Sequence, residues 1–98
     1  MKYSFHSEAR NEFLAEIEYF EQCRKGLGLE FSKEVFSTIH RILSFPDAWT
    51  GFSRNTRRAL TNRFPFGVIY QVEKEEIIII AIMQLNRWPG YWKKRRKK

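Results

Sequence analysis

The chain has 98 residues, 43% of them apolar and 16% aromatic, which supports one hydrophobic centre and leaves no room for a second. Its formal charge of +7 is uneven: residues 1–44 net −1 and residues 54–98 net +9, a field that suits nucleic acid, a ribosomal surface or an acidic protein. A disulfide scaffold is excluded by the lone Cys23. The longest apolar run, Ile77 to Met83, is far below the roughly 20 residues of a membrane span, and MKYSFHSEAR has no apolar signal core, so the expected location is the cytoplasm with no membrane partner.

Lys2 to His6 alternates, with Tyr3 and Phe5 on one face, and predicts a short strand. Ser7 is the expected N-cap of a helix over 8–24, with Glu8 complementing its dipole and Ala9, Phe13, Ile17 and Phe20 forming the apolar stripe that Leu14 widens. The carboxylates Glu8, Glu12 and Glu16, spaced four apart, are expected to form a solvated face. Lys25-Gly26-Leu27-Gly28 interrupts the pattern, glycine being suited to the left-handed conformation that ends helices. A second stripe of Phe31, Val35, Ile39, Ile42 and Leu43 predicts a helix that stops near Phe45, ahead of Pro46. So short a link implies an antiparallel helical hairpin whose stripes face another layer.

That layer is encoded next. After a loop over 46–56, residues 57–63 predict a strand of mixed polarity. Phe66 to Val72 predicts another, with Phe66, Val68, Tyr70 and Val72 on one face and Gly67, Ile69 and Gln71 on the other. Glu73 to Glu76 forms the expected hairpin turn, and Ile77 to Met83, apolar on both faces, predicts a central strand buried on two sides. The order is β-α-α-β-β-β: an α+β fold with a helical hairpin packed on a mostly antiparallel sheet. One domain is expected over 1–92, followed by a tail of six cations, 93–98, mobile unless a partner neutralises it. His6 and His40 have no His, Cys or carboxylate partner at ligand spacing, so no metal and no cofactor is expected; Cys23 reads as a small helix residue and Trp49 as a packing residue.

Six stretches then carry a resemblance over nearly the whole length: Phe5-His6-Ser7-Glu8-Ala9, Gly26-Leu27-Gly28-Leu29-Glu30-Phe31, Phe45-Pro46-Asp47-Ala48-Trp49, Arg57-Arg58-Ala59-Leu60, Arg63-Phe64-Pro65-Phe66-Gly67-Val68-Ile69-Tyr70 and Arg87-Trp88-Pro89-Gly90-Tyr91-Trp92. In that order and spacing the chain resembles the RelE/ParE family of toxins from bacterial type II toxin–antitoxin systems. The resemblance implies a RelE/ParE-like fold and a cognate antitoxin, acidic and ParD-like or similar, whose disordered segment folds along the toxin and masks it. Operator DNA would be reached only through that complex. The family divides by target: RelE-like members cut messenger RNA in the ribosome, whereas ParE-like members inhibit DNA gyrase.

Cleaving RNA needs cations to stabilise developing phosphate charge and a group to move protons. Arg63 and Arg87, with Arg57, fit the first role, and Tyr91 could assist. The second is poorly filled. Many relatives show a histidine where this chain has Gln84, which cannot titrate, and RNA-cleaving members often carry an arginine where it has Gly67. Both departures favour the ParE-like reading, a gyrase inhibitor of the plasmid-stabilisation type, with target or nucleic-acid contacts from Arg57, Arg58, Arg87, Lys93, Lys94, Arg95 and Arg96. Two alternatives stay open. One is a ribosome-dependent endoribonuclease using Arg63, Arg87 and Tyr91; the other is an inactive module that binds only its antitoxin or operator DNA. Each arginine also fits a plain surface ion pair, and Tyr91 and Trp92 also fit a role in closing the core.

Overall fold

The computed structural model describes residues 1–49, 51–53, 55–86 and 95. In chain order they form β1 (Lys2–Phe5), α1 (Ser7–Cys23), α2 (Leu27–Ser44), β2 (Gly51–Ser53), β3 (Thr56–Leu60), β4 (Phe66–Glu73) and β5 (Glu76–Gln84). The sheet order is β1-β5-β4-β3-β2. β1 runs parallel to β5 and the other pairs are antiparallel, so the expected helical hairpin on a mostly antiparallel sheet is what forms. One strand is additional. Residues 51–53 lie in the stretch expected to be loop, yet Gly51 pairs with Arg57 and Ser53 with Thr56. Three residues carry too little alternation for a period-2 pattern to register.

Two boundaries differ from the expectation for local reasons. α1 is capped by His6, not Ser7: the His6 Nδ1 accepts from the Glu8 N–H at 3.1 Å, and Ser7 is the first helical residue. β3 stops at Leu60, three residues before Arg63, because Thr61 turns the chain. Its N–H donates to the Phe66 carbonyl at 3.0 Å and its hydroxyl to the Phe64 carbonyl at 2.6 Å. Side-chain bonds of this kind compete with a continuing ladder and leave no periodic trace.

The link between the helices uses its two glycines differently. Gly26 sits at φ 87°, the left-handed region, as the N-cap of α2. Gly28 is needed for close approach: a Cβ there would lie 2.5 Å from the Ile17 carbonyl oxygen of α1. The Glu21 carboxylate bridges the junction, accepting from the Gly26 N–H at 2.9 Å and the Gly28 N–H at 3.0 Å. Two otherwise orphaned donors at the start of α2 are thereby satisfied.

The hairpin buries Phe13, Phe31, Val35, Ile39 and Ile42 against Val68, Tyr70, Ile77, Ile79 and Ile82. Phe31 is the hub, with ring centroids 4.9, 5.2 and 5.0 Å from Phe20, Phe64 and Phe66. Each such side chain, fully buried, stabilises the fold by about 1.5–3 kcal/mol. β5 is buried on both faces, as its composition predicts, but not by simple alternation. Ile69 faces Ala81 while Tyr70 faces Ile79, so Ile80 is an extra residue in the ladder. After this bulge the parity shifts: Ile82 joins Ile77 and Ile79 under the helices, and Ile78, Ile80, Ala81 and Met83 gather with Ile69 on the opposite face. Among the described residues, no helix is long and apolar enough to cross a membrane.

Candidate target-binding surface

The basic residues of the second half are distributed by strand alternation. Arg57 and Arg58 are consecutive on β3 and therefore point to opposite faces of the sheet. Arg57 pairs across the ladder with Tyr70, on the helical face. Its Nη1 donates to the Trp49 carbonyl at 2.6 Å, and its Nη2 lies 3.6 Å from the Asp47 carboxylate. The Tyr70 hydroxyl donates to the Pro46 carbonyl at 2.7 Å. Together these bonds pin the loop after α2 to the sheet. Burial pushes the Tyr70 hydroxyl above its usual range, with Arg57 partly opposing, so the phenol stays protonated and serves as a donor. Beside them lies an open polar groove of about 430 Å³ bordered by Asp47, Asn55, Arg57, Gln71 and Glu73. Arg57 is thus first a holder of its loop.

Arg58 faces Ile69 across the ladder, on the sheet side away from the helices. Its Cγ and Cδ lie 3.1 Å from where a Cβ on Gly67 would sit. Gly67 is therefore more than a missing arginine: the arginine of the neighbouring strand lies across the space a side chain there would fill. Around this point the same face carries Leu60 opposite Gly67, Ile69 and Met83, with Leu85 adjacent. None of these described neighbours can donate or accept a proton near neutral pH. Gln84 ends β5, opposite Phe66.

Arg63 lies on the turn before β4 and is tied to the helical side. Its Nη2 is 2.6 Å from Glu30 of α2, which Arg24 also approaches at 3.6 Å, and its guanidinium stands 5.1 Å from the centre of the Phe64 ring. The hydrogen bond from Arg63, aided by Arg24, holds the Glu30 carboxyl below its ordinary range. Arg63 and Arg58 therefore do not converge. Arg87, Tyr91, Lys93, Lys94 and Arg96 lie outside the described residues.

Arg95 was grouped by sequence with a free basic tail, and its placement differs. Its side chain is 10% exposed, with Nη2 2.8 Å from Glu12 and 3.5 Å from Glu8. Its Nη1 donates to the Ile80 carbonyl at 3.1 Å. Of the expected solvated face of Glu8, Glu12 and Glu16, Glu8 stays 62% exposed, and the expectation fails at Glu12. Glu12 is 16% exposed and accepts from the Ile82 N–H at 3.1 Å. A signal was present, since β5 is nine residues long and β1 only four, so backbone groups on the surplus length need partners from elsewhere. The histidines have local roles: His6 caps α1, and the His40 Nδ1 lies 2.9 Å from the Phe36 carbonyl.

No family model matches the sequence, and no curated protein matches it. In three dimensions the chain is similar to a chain of a solved structure described as the chromosomal ParDE TA system from P. aeruginosa. The two are 16% identical, the match covers 88% of this chain and 97% of that one, and the TM-score is 0.77. At this identity the likeness is one of fold, and it places the helical hairpin on its mixed sheet among the ParE/RelE-like α+β folds.

Proposed function

We propose that the chain is the toxin of a bacterial type II toxin–antitoxin pair, of the ParE-like kind, which inhibits growth in the cytoplasm by binding DNA gyrase and is held inactive by a cognate acidic antitoxin. The observation that carries this reading is the fold likeness, over 88% of the chain, to a chain of the chromosomal ParDE TA system from P. aeruginosa. The net +9 of residues 54–98 adds a field that draws an acidic segment at long range.

The choice of gyrase over messenger RNA is supported by Gly67 and Gln84. General acid–base catalysis needs a titrating group within hydrogen-bond reach of the proton it moves. Gln84, where many relatives show a histidine, cannot titrate, Gly67 stands where RNA-cleaving members often carry an arginine, and Arg63 lies on the helical side, away from Arg58. Binding a protein surface needs only shape and charge. In this reading Arg57 and Arg58, with Arg87, Lys93, Lys94 and Arg96, contact the target, and operator DNA is reached only through the antitoxin complex.

A paired assay on the purified chain tests it: supercoiling of plasmid DNA by gyrase, and integrity of messenger RNA in a translating extract. The expected result is supercoiling lost with RNA intact. RNA cut at the ribosome with gyrase unaffected replaces this reading with the endoribonuclease. Normal growth on induction of the soluble chain without its antitoxin replaces both with an inert binding module.

A further inference from the structure

Gly67 is the middle of a row that crosses three strands on the sheet face away from the helices. Leu60 of β3 stands opposite it on one side and Met83 of β5 on the other. The Leu85 Cδ2 is 3.6 Å from where a Cβ on Gly67 would sit, and the Arg58 Cγ and Cδ are 3.1 Å from the same point. Met83 is buried, whereas Leu60 is 45% and Leu85 40% exposed. A lone exposed leucine is ordinary on a protein surface. Here two of them flank one glycine, and the arginine stem laid over that glycine joins them with methylene groups into a continuous apolar surface. The guanidinium, one bond beyond Cδ, borders it with positive charge.

Both leucines stand on pinned backbone. The Leu60 carbonyl accepts from Arg41 of α2 at 3.3 Å, and the Leu85 N–H donates to the Pro65 carbonyl at 2.9 Å. A surface held in this way loses little conformational freedom when it is covered. Aliphatic area beside an arginine suits a protein partner, because a phosphate backbone has nothing to set against leucine. The net +9 of residues 54–98, with Arg58 at the border, fixes the occupant's charge as negative. Resting on the reading that the chain acts by binding gyrase, we propose that Leu60, Leu85 and Arg58 form the seat on which that target docks. The docking segment sets aliphatic side chains against the two leucines and a carboxylate against Arg58.

The test is binding of the full-length chain to intact gyrase, with growth arrest on induction as a second readout. Leu60→Glu and Leu85→Glu should each weaken binding about tenfold or more, by removing apolar contact and adding repulsion. Arg58→Met keeps an apolar stem without the charge, and should weaken binding and flatten its salt dependence. Leu60→Ala combined with Leu85→Ala removes the area without adding charge and serves where a glutamate variant fails to fold. Leu14→Glu and Leu29→Glu, at leucines 56% and 59% exposed on the two helices, should bind as wild type does. Folded seat variants that bind like wild type, or helix variants that bind as poorly as seat variants, overturn the proposal and leave the gyrase reading standing. Arrest by a wild type that does not bind gyrase removes that reading instead. Arrest then lost in the seat variants, with messenger RNA intact, keeps the seat for another protein target, whereas arrest that persists in them overturns it. Messenger RNA cut by wild type and spared by the seat variants would put nucleic acid on this surface and overturn the proposal, as would a wild type that neither binds gyrase nor arrests growth.

Discussion

Two Arg–Glu pairs of nearly equal length behave as different objects. Arg63–Glu30 spans 2.6 Å between side chains that are 60% and 40% exposed, and Arg95–Glu12 spans 2.8 Å between side chains that are 10% and 16% exposed. The first links a turn to a helix through solvent, where screening leaves little net attraction and either partner can be borrowed by an incoming ligand. The second is largely out of water, and each partner also bonds the backbone of β5. Distance alone ranks them equal. Burial decides which is structure and which is surface.

Removing one side of each pair separates them most sharply. Arg95→Ala strands the Glu12 carboxylate and the Ile80 carbonyl in a partly dry place, so it should cost about 3–5 kcal/mol, the range for breaking a buried ion pair from one side. Urea denaturation checks this. A midpoint equal to that of wild type would mean that Arg95 is held no more firmly than Arg63. The same result bears on truncation after Trp92, which removes Arg95 and is therefore expected to weaken the fold, where sequence alone predicts a mobile tail whose loss leaves the fold intact and weakens only salt-sensitive binding.

The contrast also shows what a sequence exposes to reading. Both helices follow from apolar spacing, and two-sided burial of β5 follows from Ile77 to Met83, because periodicity reports which faces leave water. Adjacency on β3 likewise sends Arg57 and Arg58 to opposite faces. What stayed hidden depends on partners distant in sequence or on single side chains. Glu12 finds Arg95 across 83 positions, Thr61 ends β3 with its own hydroxyl, and Arg58 crosses Gly67 from a neighbouring strand. Within the candidate surface the residue types were legible, but which arginines hold loops and which face outward was not, since ion pairs carry no period.

Arg58 sharpens the comparison from a third side, because its relation to Gly67 runs through its aliphatic stem. Gly67→Ala puts a methyl 3.1 Å from the Arg58 Cγ and Cδ, where a flexible side chain can shift by a few tenths of an ångström. A cost of about 1 kcal/mol is expected, at the low end for overpacking. In the Arg58→Ala background the methyl has room and that cost should disappear, so a double-mutant cycle yields a coupling of about the same size. Independent effects that simply add would show that Arg58 does not occupy the space above Gly67.

Arg63→Ala is the smallest expected change, and its signature lies in pH dependence. The Glu30 carboxyl titrates below its ordinary 4.5 because Arg63 and Arg24 favour the ionised form. A carboxyl depressed in the folded state adds stability that is present above the unfolded value and is lost as pH falls through the folded one. Wild type and Arg63→Ala should therefore differ slightly in urea midpoint near neutral pH and converge in acid, below the titration of Glu30. By NMR the Glu30 midpoint should rise toward 4.5 in the variant and, in wild type, with added salt, since an exposed pair is screened. A midpoint that salt leaves unmoved would mean that the Arg63–Glu30 pair is shielded from solvent, and Arg63 would no longer be available to a partner.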